Sequence, residues 1–177
     1  MWLSKAILCE YYRMTISRFL ILLALTAVIV PVAPSAAQTV RRVQPATAAI
    51  ATAVWAGDTL YVSGQLPNPV TPADAAKGTA AVYGDTRAQT ESVLRKIEAI
   101  LKEQGLGMAD VVKMNVYLAG DPAKGNTMDF AGMMASYTQF FGTPAQPNKP
   151  ARSTVQVAAL VAAGALVEID VVAVRSK

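Results

Sequence analysis

The stretch that decides the fold is Pro150-Ala151-Arg152-Ser153-Thr154-Val155-Gln156-Val157, followed by Leu166-Val167-Glu168-Ile169-Asp170-Val171-Val172-Ala173-Val174. Both runs are rich in β-branched residues, and Ala162-Ala163-Gly164 between them supplies a turn. They read as two strands joined by a loop. Alternate side chains of a strand share a face. Arg152, Thr154 and Gln156 therefore point one way, and Val155 and Val157 the other. A guanidinium just after a proline, at the start of an apolar strand, stands where a pocket can use it. Its planar fork grips a carboxylate with two parallel bonds. The alternative is an arginine that caps loop carbonyls or pairs with a surface acid.

Upstream of this stretch, Thr59-Leu60-Tyr61-Val62-Ser63 is a strand, and Gly57-Asp58 turns it into a hairpin with a first strand over Thr47 to Trp55. Gly64 lets backbone approach a ligand beside Ser63, or simply ends the strand. Val70 to Gly84 is a long surface loop. Val93, Leu94, Ile97, Ile100 and Leu101 recur at helical spacing after a cap at Asp85 or Thr86, and Gly105 stops the helix. Asp110 to Leu118 is the next strand, with Val112, Met114, Val116 and Leu118 on one face and Val111, Lys113, Asn115 and Tyr117 on the other. A second helix follows a cap at Asn126 or Thr127. Its Phe130, Met133, Met134, Tyr137, Phe140 and Phe141 stripe reads as helix–sheet core.

The resulting order is β-β-α-β-α-β-β, an α+β mixed sheet with two helices packed on one face and hairpins at both ends. The other face carries Tyr61, Tyr117 and alternating valines. It is too apolar for open water, which predicts burial against copies of the same chain.

Composition removes several functions. The sequence has no histidine, and its one cysteine is Cys9. Ser-His-Asp and Cys-His catalysis and nearly all zinc sites are excluded, and the scattered acids do not predict a carboxylate metal site. Phe19 to Val30 is apolar apart from Thr26, with Arg13 and Arg18 before it and small residues through Ala37 after it. That is the anatomy of a secretory signal peptide over residues 1–37, with Met14 as a second candidate start. The run is shorter than the about 20 residues of a membrane span; an uncleaved N-terminal anchor is the competing reading. Residues 38–46 read as a flexible arm and 47–177 as one folded domain. Cleavage leaves 140 residues, and loss of Lys5, Arg13, Arg18 and Glu10 takes the net charge from +4 to +2. With no basic cluster beyond Arg41-Arg42, nucleic acid is not an expected partner. The expected location is periplasmic or secreted, without stable membrane association after cleavage.

The run Pro150-Ala151-Arg152-Ser153-Thr154-Val155 with Val167-Glu168-Ile169 resembles the signature of the RidA (YjgF/YER057c/UK114) family. The resemblance extends over Tyr61-Val62-Ser63-Gly64-Gln65, Gln89-Thr90, Asp110-Val111-Val112-Lys113, and Asp129-Phe130 with Tyr137 and Phe140-Phe141, and covers about Thr47 to Arg175. It implies a chorismate-mutase-like fold and a homotrimer whose sheets line a central barrel, with three clefts between subunits. It implies hydrolytic deamination of 2-imino acids to 2-oxo acids and ammonia, without a cofactor or metal. Arg152 matches the arginine that holds the substrate carboxylate, with Gly64 and Thr154 beside it as substrate-binding positions. Glu168 matches the glutamate near the reacting water, and Ser63 is the second catalytic candidate. The chain departs from the family's well-studied deaminases at three positions. Ile50 stands where they carry a tyrosine, Met134 where they carry an asparagine, and Thr154 where they often carry a cysteine. The alternative functions are a non-catalytic module that binds a small carboxylate in the same cleft, and a chaperone-like interaction protein.

Overall fold

Gly57, at φ 59°, turns the chain between β2 (Ala53–Ala56) and β3 (Thr59–Gln65), which pair antiparallel as the sequence predicts. The computed structural model describes residues 39–176. The predicted leader, the start at Met14 and Cys9 lie outside the described residues. The remaining elements are β1 (Val40–Val43), α1 (Thr86–Glu103), β4 (Val111–Ala119), α2 (Phe130–Phe140), β5 (Ala151–Val157) and β6 (Val167–Val174). Short 3-10 turns at Met108–Asp110 and Pro122–Lys124 flank β4.

The six strands form one sheet in the order β1-β2-β3-β6-β4-β5. β4 and β5 run parallel, and the other pairs are antiparallel. The predicted α+β architecture is correct, but the strand inventory changes in three ways. The arm predicted to be flexible contains a strand, because β1 pairs with β2 from Val40 opposite Ala56 to Val43 opposite Ala53. The Thr47–Trp55 strand is shorter than expected: pairing begins at Ala53, after a turn over residues 46 and 47. Finally, β5 and β6 do not form a hairpin. β4 lies between them, so β5 becomes an edge strand paired only through β4. The β4-α2-β5 crossover brings β5 alongside β4 in parallel, as a strand–helix–strand connection does.

α1 is capped as predicted: the Asp85 carboxylate accepts from Ala88 N at 2.8 Å, and Gly105 at φ 73° follows its last turn. Val93, Leu94, Ile97 and Leu101 are fully buried against Leu60, Met114, Leu118 and Val167. The cap of α2 lies two residues beyond the later of the two predicted ones, with Asp129 accepting from Gly132 N at 3.0 Å. Met133, Tyr137 and Phe141 join the same core. A bulge between Val111 and Lys113 resets the alternation of β4. Val111 is buried and Val112 is exposed, the reverse of the prediction, while Met114, Val116 and Leu118 stay inside.

Gln89 ties the surface loops to α1 and is 0% exposed. Its amide donates to Gly84 O (2.9 Å) and Gly164 O (3.1 Å), and its carbonyl accepts from Leu166 N (2.7 Å). On the face away from the helices, Tyr61, Val112 and Val155 are about half exposed.

Candidate functional site

Arg152, the second residue of β5, lies opposite Met114, and Thr154 follows opposite Val116. Both partners are buried on the helix side, so Arg152 and Thr154 project toward α2, as the alternation predicts. The guanidinium lies over the Tyr137 ring at 4.2 Å and within 5.8 Å of the Phe130 ring. Its NH1 is 3.2 Å from Met134 Sδ and 3.9 Å from Met133 Sδ. Among the described residues no acid pairs with Arg152; the two ion pairs are Lys77–Asp74 and Arg95–Glu91. A positive group half-removed from water is thus held by two rings and two thioethers. Each cation–ring contact contributes about 0.5–2 kcal/mol, and a thioether is only a weak acceptor. Strong donors remain for an anion. The Thr154 hydroxyl is buried and makes no hydrogen bond among the described residues. Burial pushes the Tyr137 phenol above its ordinary value, and the Arg152 charge partly opposes this.

Glu168 belongs to a second group. β6 alternates buried Val167, Ile169, Val171 and Ala173 with half-buried Glu168, Asp170, Val172 and Val174. Glu168 sits opposite Tyr117 on β4, on the face away from the helices. β3 bulges between Val62, opposite Val171, and Gln65, opposite Ile169. This places the Ser63-Gly64 pair against β6 where Glu168 crosses. A Cβ on Gly64 would collide with the Glu168 carboxylate, so glycine is what lets that carboxylate lie on the backbone. Ser63 is differently engaged. Its Oγ donates to Ala51 O at 2.7 Å, and its N–H donates to Thr52 O. The hydroxyl proton is committed to holding β3 against the chain entering β2. Ile50, one residue before Ala51, is 68% exposed. The Asp170 carboxylate pushes the Tyr117 phenol up by its charge, with desolvation, a hydrogen bond to Asp170 and the Glu168 charge adding to the shift. Asp170 also accepts from Asn115 Nδ2 at 3.0 Å.

The structure therefore brings Arg152 together with Thr154, and Glu168 together with Gly64 and Ser63, but it does not bring the two groups together. They lie on opposite faces of one sheet. Two cavities elsewhere, of about 700 Å³ and 310 Å³, include none of these five residues. The sequence pattern places Phe130, Met134 and Tyr137 in the core alone and so misses the cradle of Arg152. The signal was there: positions 130, 134 and 137 form one helical stripe, and its outer edge meets the first residues of β5.

A family model described as endoribonuclease L-PSP, Ribonuc_L-PSP, matches residues 41–175. A RutC family protein of Pyrococcus horikoshii is 37% identical over 123 residues, which span 70% of this chain and 84% of that protein. A 2-iminobutanoate/2-iminopropanoate deaminase of Salmonella typhimurium is 36% identical over 119 residues, 67% of this chain and 81% of its own. Among solved structures, a putative endoribonuclease of Thermotoga maritima aligns with a TM-score of 0.58 at 31% identity, covering 77% of this chain and 98% of that one. E. coli TdcF with bound serine aligns with a TM-score of 0.57 at 31% identity, covering 76% and 94%.

Proposed function

Because this chain belongs to the Ribonuc_L-PSP family, the YjgF/RidA proteins, we propose that it hydrolyses reactive 2-imino acids to 2-oxo acids and ammonia at a site shared between two copies. The observation that carries the reading is Arg152, a guanidinium without an acid partner among the described residues, oriented by the Tyr137 ring and left with strong donors for an anion. A bidentate bond to a substrate carboxylate satisfies it. The name of the 36%-identical deaminase and the serine in the TdcF structure agree with a small substrate of amino-acid type.

The chemistry needs little beyond placement, because a protonated imine is already electrophilic. Arg152 of one copy fixes the carboxylate. Glu168 of the neighbouring copy takes a proton from the attacking water as its oxygen bonds to the imine carbon. The carbinolamine formed then collapses: Glu168 returns its proton to nitrogen, the C–N bond breaks as the hydroxyl oxygen becomes the carbonyl and gives up its proton to Glu168, and the departing ammonia takes that proton to leave as ammonium beside the 2-oxo acid. Gly64 sets the position of Glu168, and Ser63 keeps the strand beneath it in place. Thr154 lies two residues along β5 on the same face as Arg152, with its buried hydroxyl unpartnered among the described residues. In this proposal the open sheet faces of three copies bury Tyr61, Val112 and Val155, and the shared site forms where β5 of one copy meets the Glu168 face of the next. We further propose export: the signal-like leader is removed near Gln38, and the product works in the periplasm or outside the cell.

The test compares wild type with Arg152→Ala, Arg152→Lys and Glu168→Gln for imine hydrolysis and 2-oxo acid affinity, alongside thermal melts. Losing the charge-assisted grip should cost about 1.5–3 kcal/mol, roughly 10- to 150-fold in affinity. Lysine should not restore it, because an ammonium has no fork. Glu168→Gln should bind and fail to turn over. Arg152→Ala acting like wild type would remove the reading. Wild type that binds 2-oxo acids without hydrolysing imines would make the chain a carboxylate-binding module.

A further inference from the structure

Met134 and Phe130 do more than hold Arg152. We infer that they make the substrate's side-chain subsite and select 2-imino acids with long apolar side chains over those with one- and two-carbon side chains. This rests on the proposal that Arg152 grips the substrate carboxylate. Met134 Sδ lies 3.2 Å from NH1 of Arg152, so one branch of the guanidinium is occupied by a soft acceptor. The edge formed by Nε and NH2 is the one left for a two-pronged carboxylate contact. A carboxylate there places its α-carbon beyond the guanidinium, and the substrate side chain passes the stripe that α2 presents to β5. That stripe is Phe130, Met134 and Tyr137, one residue per helical turn. It offers a ring, a thioether and a ring, with no charge or amide among them.

Phe130 is the telling member. It starts α2, stays 44% exposed, and its ring is 5.8 Å from the guanidinium carbon. Tyr137 and Met133 are buried and finish the core; Phe130 has surface to spare next to the anchoring charge. A methyl group of a two-carbon side chain reaches little of it. A branched four-carbon or benzyl side chain can lie against both Phe130 and the flexible Met134, whose unbranched thioether adapts to irregular shapes and favours aromatic contact.

The experiment generates imines in situ from alanine, 2-aminobutyrate, leucine, methionine and phenylalanine with an amino-acid oxidase and follows their decay. In parallel, calorimetry measures binding of 2-oxobutanoate, 4-methyl-2-oxopentanoate and phenylpyruvate. Wild type should favour the leucine and phenylalanine imines over the alanine imine by about 10-fold or more in kcat/KM, the scale of one well-placed methylene contact. Its 2-oxo acid affinities should follow the same order. Met134→Gln keeps the length of the side chain and replaces the thioether by an amide; Phe130→Ala removes an exposed ring. Each also loosens the cradle of Arg152, a loss that short and long acids share, so the readout is the ratio between them: the preference for the leucine and phenylalanine imines over the alanine imine, and for the longer 2-oxo acids over 2-oxobutanoate, should fall toward unity. The inference is overturned if wild type binds 2-oxobutanoate as tightly as the longer acids, if the order survives both substitutions, or if Phe130→Ala acts only by dissociating the oligomer. If no imine is hydrolysed, the deaminase proposal fails, and the binding order still decides the subsite.

Discussion

Gly64→Ala separates the position of Glu168 from the stability of the sheet. A Cβ at Gly64 would overlap the Glu168 carboxylate, with Cδ at 3.0 Å and Cγ at 3.3 Å. The obstacle is the tip of a flexible side chain, not backbone, so the structure can yield by moving Glu168 to another rotamer. If making room leaves a χ angle about 30° off its rotamer, that costs about 0.5–1.5 kcal/mol. Replacing glycine returns about 0.4–1 kcal/mol by restricting the unfolded chain. The two nearly cancel, so melting should change little. The carboxylate, however, must leave its place over β3 by at least an ångström, and a misplacement of that size can lower turnover about 100-fold. Affinity for 2-oxo acids should fall far less than turnover, since the carboxylate grip belongs to Arg152 and Glu168 acts on the water. The assays are imine decay, calorimetry with a 2-oxo acid, and a urea melt. Adding Glu168→Gln to Gly64→Ala should cause little further loss, because the first change has already removed the base. Wild-type turnover in Gly64→Ala with an unchanged melt would refute Glu168 acting from this position. A stability loss above about 3 kcal/mol would instead mark Gly64 as a requirement of the bulge.

Gln89→Leu should destabilise the domain by about 3 kcal/mol, because it orphans Gly84 O, Gly164 O and Leu166 N in one step; a urea titration losing less than about 1 kcal/mol would refute this bridge. Tyr137→Phe keeps the ring under Arg152 and removes the phenol. The folded state raises that phenol through burial, so its contribution to stability is complete below the ordinary tyrosine value of about 10 and is lost as pH climbs through the higher folded value. Urea midpoints followed from pH 8 to beyond pH 11 should therefore fall less steeply for Tyr137→Phe than for wild type; parallel curves would count against it. Light scattering of the mature protein at micromolar concentration should give the mass of a trimer, and a monomer would remove the shared site. N-terminal sequencing of exported protein should begin at or near Gln38, and an intact leader in a membrane fraction would favour the anchor.

Much of the fold was written in local patterns. The stripe of α1, its Asp85 cap and Gly105 stop, the Gly57 turn and the strand at Tyr61 all follow from spacing and residue type. β1 was invisible for a physical reason. Val40-Arg41-Arg42-Val43 has almost no buried side chain, so no hydrophobic alternation marks it. Its support is non-local: a ladder to β2, Arg41 over the Trp55 ring at 5.7 Å, and Gln104 Oε1 accepting from both Arg41 and Trp55. The hairpin expected between β5 and β6 failed for a related reason. Short connections favour neighbours, but β4 offers β5 a parallel partner through the α2 crossover and offers β6 an antiparallel one on its other side. One bulge at Val111 was enough to exchange two valines between core and surface, because the strand period is two and an extra residue reverses every face.

The site shows the same division between residue type and placement. Arg152, Thr154, Ser63, Gly64 and Glu168 stand out in the sequence, yet the faces of Arg152 and Glu168 relative to each other depend on registers that no local pattern carries. Arg152 pairs with Met114 and Glu168 with Tyr117, three residues apart on β4. An odd separation along one strand places the two on opposite sides of the sheet. No rotamer change in a single chain can carry the Glu168 carboxylate through a hydrogen-bonded sheet to a substrate held by Arg152. If both groups act on one imine, they must come from different copies. The sheet supplies the means. β5 is an edge strand, so Arg152 stands beside the boundary of its own subunit, while Glu168 lies on the face whose exposed Tyr61, Val112 and Val155 favour burial against another copy. Mixing the Arg152→Ala and Glu168→Gln proteins tests this directly. Arg152→Ala alone should have lost its grip on substrate and Glu168→Gln alone its turnover, but reassembled mixed oligomers contain interfaces with one intact Arg152 and one intact Glu168, and activity should rise above that of either protein. A site contained in one chain would gain nothing from mixing.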